Sequence, residues 1–254
     1  MLDNHIHLRT ILMALSFGFI SPPLFAVAES DEVQSATKLS QNETELQQLR
    51  SLATKGNTKA QVNLGTLYEE GRGVPQDYSE AVKWYRLAAE TDNADAQFSL
   101  GAVAYYGQGV PQDYKEAAKW FRLAADHGHA AAQGSLGLLY DNGQGVQQNY
   151  KEAAKWYLLA AEQGSGSARN NLGLLYEHGR GVPLNPIVSY CLYSLAATGR
   201  VSSEGHAAEN RTRLTGVMSK GEIESAQLLI EEISNAGQLS RALESYFKRH
   251  DLKE

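Results

Sequence analysis

The sequence predicts an all-α protein, a solenoid of 36-residue helix-turn-helix repeats. Three observations predict it. Trp84, Trp120 and Trp156 recur 36 residues apart. The glycine pairs Gly71/Gly73, Gly107/Gly109, Gly143/Gly145 and Gly179/Gly181 keep the same spacing. So do Leu64-Gly65, Leu100-Gly101, Leu136-Gly137 and Leu172-Gly173, and the Ala-Ala pairs at 88, 124, 160 and 196. Self-similarity at one fixed period marks units that bury their apolar faces by stacking on one another.

Composition agrees and excludes much else. The chain has 254 residues, 43% hydrophobic and 20% charged, which describes a globular rather than a disordered protein. With 23 Lys+Arg against 29 Asp+Glu the net charge is -6, so nucleic acid is not an expected partner, because a phosphate-binding surface needs a basic patch. The single cysteine, Cys191, excludes an intramolecular disulfide and argues against a cysteine-built zinc site.

At the N-terminus, Arg9 precedes an apolar run from Ile11 to Ile20, two prolines, and Ala26-Val27-Ala28. Charged head, short apolar centre and small-x-small site are the order of a secretory signal peptide. Residues 1–28 are therefore expected to be removed after Ala28. The run is too short to span a bilayer, so no stable membrane span is expected after cleavage. Residues 29–44 are polar and aperiodic and read as a flexible leader. Residues 45–58 read as a half repeat, because Leu46 to Ala53 aligns with the second helix of a period.

Four full periods follow, about 59–94, 95–130, 131–166 and 167–202. In the first helix of each, Ala60, Leu64, Leu67 and Tyr68 share a face. Gly71 is placed to end it, since glycine takes the left-handed conformation without steric cost. Asp77 and Glu80 form a capping-box pattern at the next helix, repeated as Asp113/Glu116 and Asn149/Glu152. In the fourth period Asn185 caps and Pro186 takes the first helical position. Ala81, Trp84, Tyr85, Ala88 and Ala89 give the second helix its apolar stripe, and the periodic tryptophans are expected in the core. Residues 203–254 are expected to form capping helices. One covers His206 to Leu214. A second starts at the Ser219/Glu222 box. A last amphipathic one carries Leu239, Ala242, Leu243, Tyr246 and Phe247, and is expected to cover the open end of the stack, with binding of a partner as the alternative.

Leu64-Gly65, Tyr68, Gly71-x-Gly73-Val74, Asp77-Tyr78, Ala81, Trp84-Tyr85 and Leu87-Ala88-Ala89, with their copies, resemble the Sel-one-like repeat family, a relative of the tetratricopeptide repeat. The resemblance covers about residues 45–230. It implies a right-handed superhelical α-α solenoid of antiparallel helix pairs that works as a protein-interaction scaffold. Departures are Ala104 for a tyrosine, Gln147 for a loop proline, and Leu192 for tryptophan. Cysteine-rich relatives that bind β-lactams carry a cysteine pair in each repeat, which this chain lacks.

No catalytic constellation emerges, and no cofactor or metal is expected. The Gly-x-Gly loops lie between helices and lack the third glycine of a dinucleotide fingerprint. His127-Gly128-His129 offers too few ligands to close a zinc site and reads as an inter-repeat turn. His178 and His206 read as surface residues. Ser35-Ala-Thr-Lys38 matches one element of penicillin-recognising enzymes without its companion motifs. Cys191 reads as a buried, inert thiol. Binding residues are sought where the copies differ. On the first helix these are Asn63, Thr66 and Glu70, which share a face opposite the repeated one. The same face later holds Ser99, Ala102 and Tyr106, then Ser135, Leu138 and Asn142, then Asn171, Leu174 and His178. First helices line the concave surface of such solenoids. The expected contacts are therefore Asn63, Thr66, Glu70, Tyr106, Leu138, Asn142, Leu174 and His178, with tyrosine the strongest anchor. The sequence thus reads as an exported, monomeric, periplasmic or secreted scaffold for an unidentified protein or peptide. The alternatives are a cell-wall hydrolase acting on β-lactams or peptidoglycan, and a secreted factor that engages host proteins.

Overall fold

The computed structural model describes residues 43–198 and 204–251. The expected signal peptide and the leader as far as residue 42, Ser35 and Lys38 included, lie outside the described residues. Contacts divide the chain into Met1–Gln48 and Leu49–Glu254. Helix α1 covers residues 43–54, so it begins two residues inside the segment read as leader. Four helix pairs follow. They are α2 (Thr58–Glu70) with α3 (Tyr78–Ala89), α4 (Ala94–Tyr106) with α5 (Tyr114–Asp126), α6 (Ala130–Asn142) with α7 (Tyr150–Glu162), and α8 (Gly166–His178) with α9 (Pro186–Ala197). Three more helices are α10 (Glu204–Thr215), α11 (Lys220–Ala236) and α12 (Leu239–Arg249). No strand occurs among the described residues. The unit is an all-α helical repeat solenoid, each pair packing on the next.

The first helix of each pair starts on a side chain that accepts from a free amide. Asn57, Asn93, His129 and Ser165 accept from the N–H groups of Ala60, Ala96, Ala132 and Ala168. Each of these helices ends on glycine in the left-handed region, at φ of 68, 72, 69 and 62° for Gly71, Gly107, Gly143 and Gly179, a conformation that costs other residues energy. The second glycine of each loop does different work. A Cβ on Gly109 would lie 2.4 Å from Tyr78 Cβ, and one on Gly145 would lie 2.1 Å from the Tyr114 carbonyl oxygen. Gly181 meets Tyr150 in the same way. Gly73, which has no full copy before it, meets nothing within 4 Å. The second glycine is therefore the seam through which one copy seats against the start of the preceding second helix.

The second helices are capped by Asp77, Asp113, Asn149 and Asn185, but only half of the expected capping box forms in the first three. The amides of Asp77, Asp113 and Asn149 already donate to the carbonyls of Tyr68, Ala104 and Tyr140, at 2.9 Å each. No amide is left for the glutamate. Glu80, Glu116 and Glu152 instead pair with Lys83, Lys119 and Lys155 one turn on. At α11 the amide of Ser219 is free, and both halves form with Glu222.

The core corrects one expectation. Trp84, Trp120 and Trp156 are half-buried, and the indole N–H groups of Trp84 and Trp156 are buried without a hydrogen-bond partner. The fully enclosed ring is the next residue. Tyr85, Phe121, Tyr157 and Tyr193 lie on Gly65, Gly101, Gly137 and Gly173 of the partner helix, where a Cβ would come within 2.5–2.7 Å of the ring. A glycine in mid-helix costs about 1 kcal/mol of helix propensity, and here it makes room for a large buried aromatic. Leu192, where a tryptophan is missing, is fully buried. Between copies, Gln61 and Gln133 donate to the carbonyls of Ala53 and Ala125 at 3.1 and 3.2 Å, and Arg169 to that of Ala161 at 3.2 Å.

Of the helices expected to cap the end, α10 and α11 extend the stack by packing on α9. Helix α12 packs on α11 and against residues of α8. It turns back onto α7, placing Leu239, Leu243 and Phe247 in one core with Leu172, Leu175 and Tyr176.

Candidate protein-binding face

The eight residues expected to contact a partner all lie on the first helices, α2, α4, α6 and α8. Asn63, Glu70, Tyr106, Asn142 and His178 are exposed, and Thr66, Leu138 and Leu174 are half-buried. Tyr106 leaves 67% of its surface open and is held edge-on against the Tyr105 ring at 4.9 Å. Glu70 pairs with Arg72. Asn142 donates to Gln144 at 3.4 Å.

Between α6 and α8 lies an open hollow of about 310 Å³ that brings Leu138 together with Ser135, Tyr157 and Asn171. The other seven are not part of it. Thr66 is hydrogen-bonded instead to the Tyr85 hydroxyl at 3.3 Å and to the Val62 carbonyl at 3.1 Å.

The hydroxyls of the core tyrosines are functional candidates that the sequence reading passed over. Tyr85 donates to Glu69 at 2.5 Å, Tyr157 to Asp141 at 3.3 Å, and Tyr193 to Glu177 at 2.7 Å. A ring wedged between helices thus ends in a phenol–carboxylate pair. Burial pushes all three phenols well above their ordinary range, so they remain donors. Burial also raises Asp141, against the opposing hydrogen bond from Tyr157. Glu177 is held below the usual carboxylate range by the Arg213 guanidinium. The signal was in the sequence. Acids stand at 69, 141 and 177, where the partner ring is tyrosine, and Tyr105 stands there where the partner is Phe121.

The histidine turn has a structural task. His129 Nδ1 accepts from the Ala132 amide at 3.1 Å, so the imidazole caps α6. Its Nε2 lies 3.5 Å from Asp95, and its ring stacks on Phe98 at 4.6 Å. Burial pulls its pKa down, and Asp95 opposes this more weakly. His127 Nε2 lies 4.0 Å from Asp92. No group of three or more His, Cys, Asp or Glu among the described residues could hold a metal ion. His178 and His206 are exposed. Cys191 is fully buried, and burial pushes its thiol up to about 12, too high to leave a reactive thiolate.

Comparison with known proteins gives the same architecture. The Sel1 repeat model matches residues 58–93, 94–129, 130–165 and 166–199. No curated protein matches the sequence. Among solved structures, the chain is similar to a Sel1 repeat protein from Oxalobacter formigenes, at 34% identity over 74% of this chain and 75% of that one, with a TM-score of 0.63. It is also similar to a protective antigen present in uropathogenic Escherichia coli strains and displaying an SLR fold. That match has 33% identity over 80% of this chain and 48% of that one, with a TM-score of 0.58. The chain belongs to the Sel1 repeat family.

Proposed function

We propose that the chain is a scaffold that binds a protein or peptide along the faces of α2, α4, α6 and α8. One observation carries the reading. The copies keep the same buried residues, while the outward first-helix positions change from copy to copy and stay accessible, from Asn63 through Tyr106 and Asn142 to His178. A surface of this kind offers many small contacts, with specificity in the changing side chains. The open hollow at Leu138, rimmed by Ser135, Tyr157 and Asn171, suits an apolar anchor flanked by polar groups.

The scaffold acts outside the cytoplasm, in the periplasm or beyond the cell, after removal of residues 1–28. What supports export is the order of Arg9, the Ile11–Ile20 run and Ala26-Val27-Ala28, the order of a secretory signal. No described helix is long and apolar enough to cross a membrane. Sequencing the N-terminus of protein recovered from the producing cell tests export, and Glu29 is the expected first residue.

The binding face is tested by affinity capture from the cell envelope. The bait is Glu29–Glu254, and the control carries Tyr106→Ala with Asn142→Ala. A protein enriched on the wild type and lost on the control is the expected result. Equal capture by both baits would contradict the assignment of the face.

A further inference from the structure

One groove of the array is filled by a helix of the chain itself. Helix α12 lies in a groove floored by Leu172, Val182 and Pro183, and Phe247 stacks on Tyr176 at 6.0 Å. Its N-terminus has no side-chain cap of its own. Glu162 supplies one from α7, accepting from the amides of Leu239 at 3.0 Å and Ser240 at 2.6 Å.

The groove recurs 72 residues earlier, two full periods, with its floor kept and no helix in it. Leu100, Val110 and Pro111 line an open groove of about 370 Å³, and Glu90 stands where Glu162 stands. Two differences open it. Along the array, Arg50 donates to the Tyr68 hydroxyl at 3.1 Å, and Arg122 donates to that of Tyr140 with its guanidinium over the Trp156 ring. That arginine–tyrosine pair fills the groove between copies. Between the first and second copies the tyrosine is Ala104, and Arg86 lies at the groove edge without a side-chain hydrogen bond or ion pair among the described residues. Where α12 docks, the arginine is replaced by Leu158, and the tyrosine is turned to stacking on Phe247.

The geometry points to this groove as the docking site for an amphipathic helix of a partner protein. The helix presents apolar residues at i, i+4 and i+8, as α12 does with Leu239, Leu243 and Phe247. It sets its N-terminus on Glu90, which a helix N-terminus favours, and its last large side chain over Ala104. An acidic residue at i+5 meets Arg86. Glu244 occupies that place in α12, lining the same hollow as Leu158.

The probe is a fluorescein-labelled peptide of residues 237–251, titrated with the full chain. Saturable binding is expected, weakened about tenfold or more by Ala104→Tyr. That variant refills the groove as Tyr140 does, and circular dichroism checks that it keeps the fold. A peptide with Glu244→Lys binds the wild type more weakly and regains affinity for Arg86→Glu. Absence of binding, or equal binding to Ala104→Tyr, overturns the proposal. Equal binding would place the peptide in the groove α12 already holds. Sedimentation of the chain alone is expected to give a monomer. A dimer abolished by Ala104→Tyr would assign the groove to a second copy and overturn the partner helix.

Discussion

A methyl group at Gly145 would come within 2.1 Å of the Tyr114 carbonyl oxygen, and one at Gly73 would meet nothing within 4 Å. Both glycines have φ near 70°, so alanine pays the left-handed penalty of about 1–2 kcal/mol at either place. Only Gly145→Ala must also push the copies apart. Its loss of stability in urea denaturation is expected to exceed that of Gly73→Ala by about 1 kcal/mol or more. Equal losses would show that the seam does not depend on that approach. His129 gives a second test at this scale. Its neutral ring accepts the Ala132 amide at Nδ1, and its pKa in the fold lies below the ordinary histidine value. The cap's contribution is present above the unfolded pKa and is lost as pH falls through the lower folded one. Asparagine caps at the matching positions 57 and 93 without titrating. His129→Asn should therefore melt less differently at pH 7.5 and pH 5 (flanking histidine's ordinary pKa of about 6.5) than the wild type does. A pH difference unchanged by the substitution would remove the histidine from the explanation.

At the scale of the element, each helix pair is organised by one ring seated on one glycine, and in three of the four the ring's hydroxyl donates to a carboxylate. Tyr157→Phe removes the bond to Asp141 and copies what Phe121 already does in the second copy, so it is expected to cost only about 1 kcal/mol. Gly137→Ala places a Cβ 2.7 Å from the same ring and is expected to cost about 1–3 kcal/mol. Thermal melts of the two variants decide it, and the reverse order would refute the glycine seat. Helix ends were readable because caps are local, and Asn57, Asp77, Gly71 and Ser219 act through bonds within four residues. The enclosed ring was not. Trp84 and Tyr85 share one period, and only the missing Cβ at Gly65 says which ring is enclosed. The capping boxes failed for a related reason. The amides of Asp77 and its copies are taken by carbonyls of the preceding helix, a contact that local spacing does not reveal.

At the scale of the whole molecule, stability in a repeat array is a sum of units and their nearest-neighbour contacts. A chain cut after Gly237 should therefore keep its helical circular dichroism but melt at a lower temperature, because Leu172 and Tyr176 lose the cover of Leu243 and Phe247. Complete unfolding of the cut chain would show that α12 holds the array together rather than lying in one of its grooves. The amphipathic pattern of α12 was readable from the sequence. Its seat was not, since it depends on Leu158 standing where Arg86 and Arg122 stand in other copies, and on a carboxylate 77 residues away in the chain. The candidate face was readable as a set of changing positions, and the acids at 69, 141 and 177 were readable as a recurring position, but which ring each acid meets needed the helix packing. The central claim is that a partner lies on the first helices. A photoreactive amino acid at Tyr106, Leu138 or His178, with matched controls at Leu123 and Leu159, tests it in the producing cell. Those two leucines are 44% and 46% exposed on the second helices. The account predicts cross-linked partner from the first set and none from the second, and cross-links from the leucines alone would contradict it.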